Sequence, residues 1–167
     1  MKTEDEKTPA GATPRRYFNR VIYTDVQSWE ILEMDEARGV ATVVEVTRDF
    51  KPKWVRGGFS AICTNLDDQR DAPVVRKPNA EPFEVVRHRG AWGYWEDALL
   101  FGCCVSDLTP EGLRKFRENP NAVFSKNARG VDTVAIYETT KAGRRKRRFR
   151  KLGQPEAECR AFYDHNF

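Results

Sequence analysis

Apolar and polar positions alternate through much of the chain, and a period of two is typical of β-strands that bury one face. The clearest case is residues 40–50. Every second residue from Val40 to Val46 is β-branched, whereas Glu45, Thr47 and Asp49 occupy the opposite face. This segment predicts a half-buried antiparallel strand.

Other strand predictions rest on short runs of β-branched and aromatic residues separated by turn residues. Strands are expected at residues 21–26, 29–34, 59–64, 83–88, 91–95 and 99–105, the last of them buried. Polar stretches at residues 51–58 and 65–80 indicate a loop and a long exposed connection. Residues 131–140 and 144–152 are predicted to form a hairpin that turns at residues 141–143.

Two helices are predicted. Thr109 is a candidate N-cap followed by Pro110 at the first helical position, and Asn119-Pro120 ends this helix. The second predicted helix covers residues 155–163, with Ala157, Ala161 and Phe162 directed inward.

These elements predict an α+β fold, in which two short helices pack against a bent, mainly antiparallel sheet of hairpins. The length of 167 residues is typical of one domain. We place this domain at residues 17–167, with a basic hairpin arm at residues 131–152. Residues 1–16 are polar, contain Pro9, Gly11 and Pro14, and predict a disordered tail.

The net charge of the chain is unevenly distributed. There are 29 basic and 25 acidic residues, which give a formal net charge of +4. Residues 141–151 (KAGRRKRRFRK), which we call the basic arm, contain eight basic residues and no acidic one. The rest of the chain therefore carries 21 basic and 25 acidic residues, a net charge of −4.

Charges on both faces of the basic arm exclude a central strand and predict an edge strand or a protruding ribbon. Clustered guanidinium groups pair with phosphates, and a two-stranded ribbon fits a major groove. The residues predicted to bind nucleic acid or an acidic partner are Lys141, Arg144, Arg145, Lys146, Arg147, Arg148, Arg150 and Lys151. Two other interpretations stay open: an acidic protein surface as partner, or an edge guarded by charge against aggregation.

A second combination of cations and aromatic rings surrounds Trp54 and Arg56, which precede Gly57 and Gly58. It predicts a base-stacking plane beside phosphate contacts. The alternative is a core tryptophan followed by a flexible loop. Residues 87–95 repeat the combination and could extend the same surface.

Signals for catalysis or metal binding are weak. The cysteines have no Cys-x-x-Cys spacing and the two histidines form no His-x-x-x-His pair. A Cys–His pair using His165 and a Mg²⁺ site at an acidic pair such as Glu96-Asp97 are the remaining options. We predict no cofactor and no metal, and favour a non-enzymatic protein. The cysteines, Cys63, Cys103, Cys104 and Cys159, are expected to be reduced and buried.

Two strings, WVRGGFSAICTN (residues 54–65) and the terminal FYDHNF (residues 162–167), resemble segments of small uncharacterised proteins of bacteriophages and other mobile elements. The resemblance covers these 18 residues and brings no catalytic residues. It implies a bacterial cytoplasm and an accessory gene product that acts on host or phage nucleic acid or on a host defence complex.

The sequence thus predicts a non-enzymatic nucleic-acid-binding accessory protein that contacts phosphates through the basic arm. The alternative is a protein-binding inhibitor of a host defence or nucleic-acid-processing complex, and a metal- or Cys-dependent enzyme is least favoured. No apolar run approaches the roughly 18 residues of a membrane span. The acidic start MKTEDEK is unlike a signal peptide. A cytoplasmic protein without membrane contact is therefore expected.

Overall fold

The structure is a computed structural model that describes residues 14–58, 60–127 and 129–166. Its strands are β1 (Tyr17–Ile22), β2 (Asp25–Asp35), β3 (Val40–Arg48), β4 (Trp54–Gly57), β5 (Ser60–Cys63), β6 (Val74–Arg76), β7 (Phe83–His88), β8 (Ala91–Asp97), β9 (Leu99–Cys104), β10 (Ala122–Lys126), β11 (Asp132–Tyr137) and β12 (Arg147–Lys151). The helices are α1 (Asp68–Asp71), α2 (Pro110–Glu118) and a 3-10 turn at Val105–Asp107.

The strand pairs β1–β2, β2–β3, β3–β6, β3–β7, β4–β5, β7–β8, β9–β11 and β10–β11 are all antiparallel. This confirms the prediction of a mainly antiparallel sheet, although strands dominate more strongly than an α+β class implies. The structure has two short α-helices, of which only α2 lies at a predicted position. Across the described ranges, no helix has the length and apolar character needed to cross a membrane.

The chain divides into two compact units. The first unit comprises residues 1–94 and 151–167, and the second is the internal segment Trp95–Arg150. The single domain at residues 17–167 stays a prediction. The predicted disordered tail falls mostly on residues 1–13, which lie outside the described residues.

The main sheet of the first unit has the strand order β1-β2-β3-β7-β8, with β6 paired with β3. Its core contains the fully buried side chains of Phe18, Val43 and Val85. Trp29 and Trp92 pack in the same cluster, and the ring centroids of Phe18 and Trp92 lie 5.6 Å apart. Two of the four tryptophans are therefore structural.

β3 confirms the clearest strand prediction, but both of its faces are covered rather than one. Val43 belongs to the main core, whereas Val46 joins a second buried cluster with Tyr17, Cys159 and Ala161. The reason is that residues near the C-terminus pack against the face of the sheet opposite the main core.

Several predicted boundaries move because short turns interrupt apolar runs. The strand expected at residues 21–26 is divided by a turn at Tyr23 and Thr24, and Tyr23 has a φ of 53°. The loop expected at residues 51–58 contains β4, and the connection expected at residues 65–80 contains α1 and β6.

α2 forms where the sequence predicts a helix. The Thr109 hydroxyl accepts a hydrogen bond from the Gly112 N–H at 3.1 Å, which caps the first turn. Pro110 is the first helical residue and the helix ends at Glu118, just before Asn119-Pro120. The start and stop signals for this helix are local, so the sequence alone contains them.

The second predicted helix, at residues 155–163, is wrong because this segment is extended. Glu156 exchanges two backbone hydrogen bonds with Tyr17, both at 2.8 Å, and Phe162 exchanges two with Val26, at 2.8 and 3.0 Å. Cys159 and Ala161 are buried. The backbone groups that a helix would use internally are therefore bonded to the edge of the sheet.

In the second unit, strands in the order β10-β11-β9 form a small sheet that contacts α2. The rings of Phe101 and Phe116 stack with centroids 5.5 Å apart, and Val134 is fully buried. β10 has no counterpart among the predictions. β9 lies where a buried strand was expected, but Leu99 and Leu100 are 50% and 61% exposed, so its predicted burial is wrong.

Candidate nucleic-acid interface

The basic arm begins at a tight turn, as predicted. The Thr140 N–H donates to the Arg144 carbonyl at 2.7 Å, and the Gly143 N–H donates to the Thr140 carbonyl at 2.9 Å. Gly143 has a φ of 75°, in the left-handed region that favours glycine. The turn leaves Lys141 and Arg144 exposed at its tip.

The hairpin predicted from residues 131–140 and 144–152 forms only near its turn, because β11 and β12 belong to different sheets. Among the described residues, the pairing is limited to an isolated bridge between Thr139 and Arg145 and a hydrogen bond from the Lys146 N–H to the Glu138 carbonyl. This short hairpin is anchored to the residue between β8 and β9. The N–H of the fully buried Ala98 donates to the Lys146 carbonyl at 2.9 Å, and the Ala98 carbonyl accepts from the Glu138 N–H at 2.7 Å. β12 is the last strand in the order of its sheet. The arm is thus an edge element, which agrees with the prediction from its two charged faces.

Three carboxylates outside the basic arm pair with half of its cations. These ion pairs are Arg145–Asp97, Lys146–Glu138, Arg148–Glu138 and Arg150–Glu96. Arg145 Nη1 lies 3.1 Å from its carboxylate oxygen, and Lys146 Nζ lies 3.7 Å from its own. Glu96 and Asp97, considered above as a Mg²⁺ site, instead accept from arginines. Exposed pairs of this kind contribute about 0–1 kcal/mol each.

Aromatic and carbonyl contacts further orient two arginines. The Arg145 guanidinium lies 4.6 Å from the ring centroid of Tyr137, within cation–π range. Arg147 Nη2 donates to the Trp95 carbonyl at 3.1 Å. The rings of Trp95 and Phe149 lie 5.2 Å apart, so the only aromatic residue of the arm packs within the second unit.

The basic arm keeps a positive excess after this pairing. Lys141, Arg144 and Lys151 are exposed, and their side chains have no ion pair or hydrogen bond within the described part of the chain. Arg147 donates to the Trp95 carbonyl and has no carboxylate partner among the described residues. Eight cations face three carboxylates, which leaves an excess of five positive charges.

The same excess characterises the second unit as a whole. Residues Trp95–Arg150 contain twelve basic and seven acidic residues, a net charge of +5. The remaining residues contain 17 basic and 18 acidic residues, a net charge of −1. The positive character of the protein is therefore a property of one unit.

Trp54 and Arg56 belong to the first unit, where they lie two residues apart on β4 and hence on one face. Trp54 is 50% exposed and Arg56 is exposed. The alternative of a core tryptophan followed by a flexible loop is therefore wrong. The two side chains are thus exposed on one face of β4, and the base-stacking surface stays a prediction.

The two strings that carry the phage-protein resemblance meet in the first unit. The Cys63 N–H donates to Asn166 Oδ1 at 2.7 Å, and Asn166 Nδ2 donates to the Cys63 carbonyl at 3.2 Å. The His165 ring lies edge-on to Trp54, with centroids 6.1 Å apart, and 4.9 Å from the ring of Tyr163. The C-terminal string thus holds the base of the β4–β5 hairpin.

Residues 87–95 were suggested to extend the stacking surface. Trp92 in this segment cannot stack on a base, because its side chain is buried in the main core. Arg87 covers the Trp92 ring at 5.8 Å and donates to the Glu36 carbonyl at 2.9 Å. This part of the suggested surface is structural.

A cleft of about 590 Å³ lies in the first unit beside the C-terminal residues. Two of its polar side chains serve the fold. Arg48 donates to three backbone carbonyls, and Gln69 exchanges hydrogen bonds of 2.7 and 2.9 Å with the Tyr163 backbone. These groups hold the C-terminal segment in place.

The described residues include no group of three or more His, Cys, Asp or Glu side chains arranged to bind a metal. Cys63 and Cys159 are buried, as expected, whereas Cys103 and Cys104 are half-buried. His165, the base considered for a Cys–His pair, contacts aromatic rings.

No protein-family model, curated protein or solved structure matches this chain. The functional interpretation therefore depends on the geometry and charge of the two exposed basic surfaces.

Proposed function

We propose that this chain is a non-enzymatic nucleic-acid-binding protein that contacts phosphates through the basic arm. The observation that carries the proposal is the excess of five positive charges on an exposed turn and edge strand. A nucleic-acid backbone is the matching polyanion, because duplex DNA carries about one negative charge per 1.7 Å of its axis.

The cations of the arm divide into two groups by their contacts. Lys141, Arg144 and Lys151 have no competing partner among the described residues, so they contact phosphates first. The ion-paired arginines are already oriented by carboxylates. Because a guanidinium has five N–H donors, it can bind a phosphate while it keeps a carboxylate bond.

Trp54 and Arg56 supply a second contact surface in this proposal. Their shared face on β4 combines a half-exposed indole with a cation. Stacking of a base on an aromatic ring contributes about 1–3 kcal/mol and tolerates any base. The resemblance to phage and mobile-element proteins supports an accessory role on host or phage nucleic acid.

The proposal is tested by removing cations that have no carboxylate partner. The triple variant Lys141→Gln, Arg144→Gln and Arg147→Gln should weaken binding to labelled single-stranded DNA, duplex DNA and RNA, measured by fluorescence anisotropy over a range of salt. The slope of log K against log salt should become shallower by about 0.7–0.9 for each lost phosphate contact.

The matched control removes the same charge from α2 of the same unit, with Arg114→Gln, Lys115→Gln and Arg117→Gln. This variant should keep most of the affinity. Equal losses in both variants would show that only net charge matters, and unchanged binding in the arm variant would contradict the proposal.

A protein-binding inhibitor is the second candidate, and one observation favours it. The basic arm already binds carboxylates within its own unit, through Arg145, Arg148 and Arg150. An acidic host surface presents the same group. Capture from a nuclease-treated lysate separates the two functions: a stoichiometric partner lost in the arm variant, without nucleic acid, supports the inhibitor.

A further inference from the structure

We propose that β9 is an edge at which two copies of the chain join their small sheets by antiparallel strand pairing. β9 is the last strand in the order β10-β11-β9, so one side of its backbone faces no strand in the described ranges. A free edge presents a row of N–H and C=O groups that can template a further strand.

The pattern of exposure indicates that the missing partner is a strand. Successive strand residues point to opposite faces of a sheet. Nevertheless Leu99, Leu100 and Phe101 are 50%, 61% and 45% exposed. A register shift opposite Ile136 and Tyr137 interrupts the alternation at Leu100, whereas Leu99 and Phe101 pair with Tyr137 and Ile136. Exposed side chains therefore lie on both faces, and a helix laid on one face would leave part of this surface exposed.

The other edges of the two larger sheets carry protection that β9 lacks. β1 contains Arg20, and its Tyr17 backbone is bonded to Glu156. β12 consists largely of cations, and β10 ends at Lys126. β9 has a register shift at Leu100, but its six residues include no charge and no proline, two of the devices that prevent edge pairing.

A second copy of β9 is the partner that its own sequence fits. In an antiparallel self-pairing that places Leu99 opposite Cys104, every residue of β9 faces another uncharged residue. Such an interface uses the same patch on both copies and closes at two. A six-residue strand buries less than a standard interface of about 1,600 Å², so a weak, concentration-dependent dimer is expected.

The response to salt distinguishes this contact from phosphate binding. Each second unit carries a net charge of +5, so two copies repel at low ionic strength. Salt screens that repulsion and leaves the neutral β9 contact intact. Dimerisation should therefore strengthen with salt, whereas phosphate binding weakens. The proposal is independent of the proposed function.

Sedimentation velocity on the full chain, at protein concentrations from about 1 to 300 µM, tests the dimer. The mass should rise from 19.3 kDa towards twice that value. Leu100→Lys should raise the dimer Kd at least about tenfold, because it places a charge at the apolar edge. The control Val21→Lys, at a side chain that is also 61% exposed but lies on β1, should leave the Kd unchanged.

Hydrogen exchange on the unmodified chain tests the same contact without relying on a variant. Amides of Leu99–Cys104 should exchange several-fold more slowly at high than at low protein concentration, while those of β1 do not change. A monomer at every concentration, concentration-independent exchange at β9, an unaffected Leu100→Lys dimer or assembly beyond two copies would each overturn the proposal.

Discussion

Asn19 shows how one buried side chain can hold a whole segment of the first unit. Asn19 Nδ2 donates to a carboxylate oxygen of Glu156 at 2.7 Å and to the Glu158 carbonyl at 3.0 Å. Its Oδ1 accepts from the Ser28 hydroxyl at 2.6 Å and from the Arg160 N–H at 2.9 Å. Nδ2 thus donates two hydrogen bonds and Oδ1 accepts two, so the Asn19 amide fixes the extended path of the C-terminal residues.

Tyr17, two residues earlier on β1, makes folding stability depend on alkaline pH. Burial raises the pKa of the Tyr17 hydroxyl above its ordinary value near 10, with smaller contributions from Glu30 and Cys159 and an opposing hydrogen bond with Arg15. The folded state thus favours the neutral phenol. Below the pKa of Tyr17 in the unfolded chain, both states keep the proton and Tyr17 does not change the free energy of unfolding. Between that pKa and the raised pKa of the folded state, the unfolded chain ionises first, so the free energy of unfolding falls as the pH rises.

We therefore expect the free energy of unfolding of Tyr17→Phe to fall less steeply above pH 10 than that of the unmodified chain. Urea titrations between about pH 8 and 11 measure this difference. Tyr23→Phe, at a side chain that is 98% exposed, is the control and should follow the unmodified chain. Parallel slopes for Tyr17→Phe and the unmodified chain would contradict the argument.

At the scale of elements, the β4–β5 hairpin owes its position to residues far away in sequence. A two-stranded hairpin alone is marginally stable in water. Asn65 bonds to both Lys53 N–H and the Lys51 carbonyl at one side, at 2.7 and 3.2 Å. Asn166 bonds to Cys63 at the other. Trp54 and Arg56 are therefore presented by a hairpin whose base is bonded at two points.

Asn166→Ala should loosen the base of this hairpin. The Cys63 N–H loses its acceptor, so its hydrogen exchange should accelerate roughly fivefold, the equivalent of about 1 kcal/mol for one hydrogen bond. Asn127→Ala is the matched control, because its Oδ1 also accepts from backbone N–H groups, of Arg129 and Val131. It should leave Cys63 unaffected, and equal exchange in both variants would refute the role of Asn166.

The sequence could predict the elements whose determinants are local. Thr109 and Pro110 define the start of α2, and Gly143 defines the turn of the basic arm, within a few residues. The extended path of residues 155–163 depends on partners such as Asn19, more than 130 residues away. No helical or strand period in that segment could reveal them.

The basic arm shows the same limit for the candidate site. Its cations and its edge position follow from the run of residues 141–151 alone. Glu138 lies three residues before the arm and meets it across the turn, but Glu96 and Asp97 belong to β8 and become its neighbours only in the folded chain. A charge count along the chain therefore gives the sign of this surface but overstates its unpaired charge.

At the scale of the whole molecule, the net charge of +4 is the sum of a second unit at +5 and a remainder at −1. The basic arm, up to Arg150, and β9 both belong to that second unit. If phosphates bind at the arm and copies pair at β9, a dimer carries two arms. The affinity of this dimer for a long nucleic acid then depends on the pairing at β9 as well as on the cations of the basic arm.

This combination predicts that Leu100→Lys affects long and short oligonucleotides differently. A strand of about 8 nucleotides engages one arm, so the variant, which adds one positive charge, should bind it at least as tightly as the unmodified chain. A strand of about 40 nucleotides can engage both arms, and the second contact benefits from a high effective concentration. Here the variant should lose about tenfold or more in affinity, measured by anisotropy at protein concentrations around the dimer Kd.

Val21→Lys adds the same charge at the β1 edge and should retain tight binding to the long strand. Equal affinities of the two variants for the long strand would mean that each arm acts alone. Avidity would then contribute nothing, even where sedimentation detects the dimer.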